Sequence, residues 1–294
     1  MERPTDLSGV VDVDDEGADR HSVHRLGTSS SGTIFALHQH PGCFVIRGAI
    51  HPDQQKELVS ASLTDYLQSP VTTNLGNVGD RMLVHGVPLF EIDPSNDILR
   101  RLRWASLGPR FDWTRRVYVR DEEYTPLPQV LKELAIKLMV SVNEVLQNDP
   151  ISKNSEVFEN VAKEMSKLCS SAGCSSYNPE AALINFYHEG DTLGGHVDDA
   201  EPNCSLPLVS LSLGCSAIFL IGGLTRNVTP TAVLLRSGDV VVLAGPARRS
   251  FHGVPRILKA IDAKAVDTTS GNVENYMQKC RINISIRALG SSSG

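Results

Sequence analysis

Between residues 280 and 287 the chain reads CRINISIR, with isoleucine at every second position from 282. In a strand this alternation sends Ile282, Ile284 and Ile286 to one face and Arg281, Asn283, Ser285 and Arg287 to the other. Short runs of similar texture begin at Ala181: ALINFY, LVSLSLG, AIFLIGG, TAVLLR and DVVVLAG are rich in Val, Ile, Leu and Phe and are punctuated by Gly and Pro. About six to eight short strands at this spacing mark a sandwich or barrel. Gly222-Gly223 and Ser237-Gly238-Asp239 are the expected turns. Upstream, GCFVIRGAI predicts a further strand. HPDQQKELVSASLTDYLQ repeats its apolar residues at helical spacing behind Pro52 in the first turn. Helices are also predicted over residues 128–148 and around 155–168.

These elements predict an α+β, mainly β protein. Its core is a jelly roll, a double-stranded β-helix, over residues 181–289, with the N-terminal helical part, residues 34–180, packed on it as one domain. Residues 1–33 end in GTSSSGT and are polar, acidic and Gly/Ser-rich, a composition that buries too little apolar surface to order itself. A disordered acidic tail is expected there, and a flexible tail at 290–294, GSSSG.

At 294 residues and 41% hydrophobic the chain is long enough for a proper core, and no apolar run reaches transmembrane length. The N-terminus has neither the basic start nor the apolar stretch of a secretory signal. Its first 24 residues carry seven acids against Arg3 and Arg20, the reverse of a transit peptide. An intracellular protein of the cytoplasm or nucleus, with no membrane contact, is therefore expected. The same segment accounts for five of the six net negative charges, which leaves the body near neutral and free to carry a basic groove. The six cysteines are scattered, which fits a reducing compartment. Cys169 and Cys174 supply only two of the four ligands a zinc site needs, so a plain loop is expected there.

Charge changes the picture of CRINISIR. Inside a two-sheeted structure both arginine-bearing positions point into the protein, where an unpaired guanidinium is too costly, so Arg281 and Arg287 need an anion. The alternative is a sheet edge with two solvated arginines. GGHVDD places His196 and Asp198 two apart, side by side on one strand face, and His252 in RSFHGVP follows the strand DVVVLAG. Two histidines and one carboxylate suit iron(II) and leave adjacent positions open, although an isolated His-x-Asp more often belongs to a surface or cap. A co-substrate with two carboxylates, 2-oxoglutarate, would answer the arginines, whose planar forks bind carboxylates bidentately. Asn185 and Tyr187, also two apart, would face the same pocket. Residues 100–120 interleave seven arginines with Trp104, Phe111, Trp113 and Tyr118. That suits phosphate contact plus base stacking, and equally a solvated face over core aromatics. Trp113, Arg115 and Arg116 are the candidate substrate contacts, with Arg248 and Arg249 just before His252.

Taken in order, NFYHEGDTLGGHVD, SLGCSAIFLIGG, LLRSGDVVVLAGPARRSFHGVPR and RINISIR resemble the AlkB family of Fe(II)/2-oxoglutarate dioxygenases over about residues 183–288. RLRWASLGPRFDW and YTPLPQVL resemble its eukaryotic homologue 1 branch and extend the likeness to roughly residue 40. The resemblance implies that His196, Asp198 and His252 ligate iron(II). It also implies that Tyr187, Arg281 and Asn283 hold the distal carboxylate of 2-oxoglutarate, with Asn185 and Arg287 near the carboxylate that chelates iron. The implied reaction spends dioxygen and 2-oxoglutarate to hydroxylate the methyl group of a methylated base in tRNA or DNA, releasing succinate, CO2 and formaldehyde. Methylated nucleic acid would be the partner, with no obligate protein partner. Several repair enzymes of the family carry an acid two residues after the metal aspartate, where this chain has Ala200. Glu201 follows and points elsewhere if the strand continues, so substrates like those of homologue 1 are expected. A protein-directed oxygenase acting on methyl-lysine and a non-catalytic jelly-roll binder are the other readings.

Overall fold

The computed structural model describes residues 9–14, 22–68, 70–76, 87–93, 97–119, 124, 126–169, 174, 176–258 and 273–290. Two sheets face each other. The smaller has the order β1 (Val10–Val11), β13 (Thr231–Leu235), β12 (Ala217–Ile221), β15 (His252–Ile257), β10 (Leu193–His196). The larger has nine strands: β2 (Val23–Ser29), β3 (Gly32–Leu37), β4 (Cys43–Arg47), β14 (Val240–Leu243), β11 (Leu208–Gly214), β16 (Arg281–Arg287), β9 (Ala181–Tyr187), β6 (Trp104–Leu107) and β5 (Thr72–Thr73). A separate hairpin pairs β7 (Arg110–Asp112) with β8 (Val117–Val119).

The CRINISIR strand, β16, lies deep inside the large sheet between β11 and β9. Its isoleucines join the large core on the helix-covered side, each fully buried one contributing about 1.5–3 kcal/mol. Its polar residues face the other sheet. The main cover is α2 (Gln129–Asn148), which follows α1 (Pro52–Ser62) in the chain and lays Leu131, Leu134, Ala135, Leu138, Met139, Val142 and Leu146 on this core at helical spacing. A third helix, α3 (Glu156–Leu168), adds Phe158, Val161 and Met165. Between the sheets a second apolar cluster joins Phe35, Val45 and Val241 to Phe219, Val233 and Val254. Where β16 and β9 face β10 and β15, that filling gives way to a cavity with charged side chains in its wall.

Several expectations need correction. The segment 1–33 is not a tail throughout: β1, β2 and the start of β3 lie in it, while residues 1–8 and 15–21 fall outside the described set, as do 291–294 of the expected C-terminal tail. Composition averaged over 33 residues hid acids whose partners are distant in the chain. Asp12 binds Arg236 through both oxygens, at 2.8 and 2.5 Å, and Asp14 pairs with Arg47. Arg47 also pairs with the fully buried Asp239, which accepts from the amides of Gly48 and Arg236. Nor is the jelly roll confined to residues 181–289, because β4 pairs with β14 and β6 with β9. The first helix stops at Ser62, where the hydroxyls of Ser62 and Thr64 donate to the carbonyls of Leu58 and Ser60 in its last turns. Cys169 and Cys174 are joined in a disulfide that closes the loop after α3, in place of the plain loop and scattered thiols expected. No helix among the described residues is long and apolar enough to cross a membrane.

The first segment is thus a strap, and its charge pairs are testable. Replacing Asp12 and Asp14 by asparagine is expected to speed amide exchange at Val10 and Val11 while leaving the cavity unchanged. Acid should do the same. The Arg236 hydrogen bond holds the Asp12 carboxyl below its ordinary value. Its contribution is therefore complete above the ordinary aspartate pKa and is lost as pH falls through the lower folded value. Exchange at Val10 and Val11 that ignores both changes would rule out a charge-held strap.

Candidate active site

Strands β10 and β15 are neighbours, and His196 pairs directly with His252 across them. Their rings lie 4.5 Å apart. Asp198 completes the group: its Oδ1 is 3.8 Å from His196 Nε2 and its Oδ2 is 3.6 Å from His252 Nε2. The three candidate ligand atoms lie within 4.8 Å of one another. Each imidazole has Nδ1 beside a main-chain carbonyl, Gly194 O at 3.0 Å and Ser250 O at 3.1 Å. A carbonyl can only accept, so Nδ1 donates and the Nε2 lone pair is left for a metal. Burial and the neighbouring His252 ring lower the pKa of His196, which favours the neutral, ligating form. Burial alone would raise the Asp198 carboxyl, but Arg287 and the histidines hold it well below the carboxylate range. Two imidazoles and an ionised carboxylate, all pointing at one spot, form a donor set that fits iron(II).

The polar face of β16 supplies the rest of the site. Arg281 lies opposite Tyr187 on β9 and is buried, with its guanidinium carbon 5.2 Å from the centre of the Tyr187 ring. Its Nη2 donates to Ser212 Oγ at 3.1 Å, while Nε and Nη1 are buried without a hydrogen-bond partner among the described residues. Burial pushes the pKa of Arg281 down. A guanidinium left in this state fits a cradle for an anionic group and is hard to explain otherwise. Asn283 gives its amide hydrogens to Ser210 Oγ and Leu211 O, at 2.7 and 2.9 Å, and its oxygen receives Ser285 Oγ. Asn185 sits across from it, 3.5 Å away. Arg287 ends the row, with Nη2 3.0 Å from Asp198 Oδ1. These groups and the triad line one cavity of about 400 Å³.

Residues 42–287 match the 2OG-Fe(II) oxygenase superfamily. The chain belongs to that superfamily. Within it the relatives are of the AlkB family. The oxygenase is 30% identical to a protein of Arabidopsis thaliana named "DNA N(6)-methyladenine demethylase ALKBH1A", over 98% of this chain and 89% of that one. It is 27% identical to "tRNA demethylase abh1" of Schizosaccharomyces pombe, over 88% of this chain and 82% of that one. A solved structure titled "The structure of OsALKBH1" superposes with a TM-score of 0.54 at 24% identity, covering 84% of this chain and 96% of the other, which bears on the fold alone.

At the mouth of the oxygenase cavity the segment 100–120 does not form one basic face. Arg103 is paired with Asp191, Arg120 lies outside the described residues, and Arg115 and Arg116 sit at the tip of the β7–β8 hairpin. Phe111, Trp113 and Tyr118 stack along this hairpin with ring centres 4.7 and 5.1 Å apart, and Trp113 stays 50% exposed. Arg116 adopts a left-handed backbone, φ 56°, and reaches Asp199 at 2.5 Å across the mouth. Arg249 is exposed. Arg248, expected at the mouth, is instead buried: it is 1% exposed and bonds Glu201, Leu206 O and Asp198 O. Two related expectations also fail. Strand β10 ends at His196, so Asp198 is not held by a sheet ladder, and Glu201 turns inward because there is no strand to continue. Pro202, which has no N–H to give to a sheet ladder, was the signal in the sequence.

Proposed function

We propose that this oxygenase removes methyl groups from bases of tRNA or DNA, with iron(II) held by His196, Asp198 and His252 and 2-oxoglutarate held by the β16 arginines. The observation that carries the reading is Arg281, a buried guanidinium with two nitrogens that have no hydrogen-bond partner among the described residues, in the same cavity as a two-histidine, one-carboxylate cluster. When bound, the metal would let dioxygen hydroxylate a methyl C–H bond while 2-oxoglutarate is oxidised to succinate and CO2, and an N-hydroxymethyl base then releases formaldehyde. The chain's own residues bind and orient. Arg281 with Ser212 and Tyr187 anchors the distal carboxylate; burial keeps Tyr187 protonated, so it can donate. Arg287 and Asn185 stand near the other end. Phe111, Trp113 and Tyr118 offer ring faces to a base, and Arg115, Arg116 and Arg249 offer charge to its phosphates. The names carried by the relatives support nucleic acid as the substrate class.

The test is incubation with iron(II), 2-oxoglutarate and either total tRNA or methylated DNA, followed by nucleoside mass spectrometry. One methylated nucleoside should fall as succinate and formaldehyde rise together. Turnover driven by methyl-lysine peptides and by no nucleic acid would overturn the reading. The phosphate contacts carry their own expectation. Arg115→Gln with Arg116→Gln should weaken binding to any sequence about equally and cut the slope of log affinity against log salt by up to roughly 2, since each lost phosphate contact removes about 0.9. Asp199→Asn, which frees Arg116 from an exposed ion pair, should tighten binding by up to about fivefold. Binding curves unchanged in both variants would move the nucleic-acid path away from the hairpin.

A further inference from the structure

Asp198 lies beyond the end of β10, so something other than strand geometry must set its place in the triad. Three buried side chains, Arg287, Glu201 and Arg248, close a circuit with it. Arg287 Nη2 meets the Asp198 carboxylate at 3.0 Å, and Arg287 Nε lies 2.7 Å from Glu201 Oε1, a charge contact and not an aligned hydrogen bond. Glu201 Oε2 accepts from Arg248 Nη2 at 2.9 Å. Arg248 Nη1 then returns to the main-chain oxygen of Asp198 at 2.6 Å, while its Nε is spent on Leu206 O at 2.8 Å. The side chain of Asp198 is thus held by one arginine and its backbone by another. Glu201, 1% exposed at its side chain, ties the two arginines together.

We infer that Glu201 is a positioning residue for the metal site: acting through Arg287 and Arg248, it holds Asp198 where its carboxylate can ligate. The inference rests on the metal assignment above. Two guanidiniums and two carboxylates balance, which a purely structural role would also require. The difference is that both arginines end on the same residue, one on its carboxylate and one on its carbonyl. A cluster that only neutralised charge has no need to grip a candidate ligand twice. The circuit also explains why Arg287 is not drawn wholly onto Asp198: Glu201 takes its Nε, leaving the Asp198 oxygen nearer His252 outside the arginine contact.

Glu201→Gln alone leaves an arginine uncompensated and is expected to destabilise the fold, so the informative variant is the charge-balanced pair Glu201→Gln with Arg248→Met. Manganese(II), which binds without turnover, is titrated into wild type, this double variant and His196→Ala, with thermal unfolding recorded without metal. The double variant should unfold close to the wild-type temperature yet bind manganese(II) about 10- to 100-fold more weakly, the usual cost of losing a partner that orients a ligand. Wild-type manganese affinity in the folded double variant would overturn the positioning role while leaving the metal site intact. Equal affinity in wild type and His196→Ala would instead overturn the metal assignment, and this inference with it.

Discussion

Replacing His196 with alanine is expected to reduce 2-oxoglutarate turnover at least about 100-fold, since even residues that merely orient a ligand are worth about 10- to 100-fold and this one supplies a donor atom. The fold should survive the change. The His196 side chain is 36% exposed at the cavity, so its removal leaves little of the void that makes core truncations costly. Succinate formation and metal titration should therefore fall together while the unfolding transition stays in place. His252→Ala gives the same functional loss from the opposite strand, with a larger stability cost because that side chain is only 10% exposed. Normal turnover in either variant would remove the triad from the mechanism.

The second large effect has opposite signs on two readouts. Arg281→Met removes a buried cation whose Nε and Nη1 have no hydrogen-bond partner among the described residues, and leaves an unbranched apolar side chain in its place. The protein without ligand should be as stable as wild type or more so, because replacing poorly compensated buried charge with an apolar group is often neutral or stabilising by about 1–4 kcal/mol. Its 2-oxoglutarate requirement should rise roughly 10- to 100-fold, the equivalent of about 1.5–3 kcal/mol for a charge-assisted hydrogen bond. The rise in unfolding temperature that 2-oxoglutarate gives the wild type should shrink accordingly. Arg281→Lys should recover only part of the affinity, because an ammonium cannot reproduce the fork. A variant that loses stability and keeps its 2-oxoglutarate affinity would make Arg281 a structural residue and leave the distal carboxylate without its proposed anchor.

Much of the site could be read along the chain because its parts repeat at short range. The period-two pattern of β16 separated Ile282, Ile284 and Ile286 from Arg281, Asn283, Ser285 and Arg287, and the structure keeps that division across the sheet. Asn185 and Tyr187 stand opposite Asn283 and Arg281 in β9. The failures share a different cause. Nearness to His252 in sequence puts Arg248 at the mouth, yet its partners include Asp198 and Glu201, 50 and 47 residues away. Local composition puts Asp12 in a tail, although its partner Arg236 lies 224 residues further on. Seven arginines in residues 100–120 suggest one surface by their spacing, and the chain divides those described among a short helix, an ion pair with Asp191, β7 and a hairpin tip.

By itself, then, the sequence determined which residues share a strand face and which residue types are available for ligation, since side-chain direction in a strand follows from covalent geometry two residues at a time. Only the tertiary structure decided who meets whom. The register that sets His196 against His252, the end of β10 before Asp198, and the sharing of Arg287 between Asp198 and Glu201 all depend on contacts between distant segments. A buried charge takes whichever opposite charge the fold brings within reach, and no local pattern records that choice.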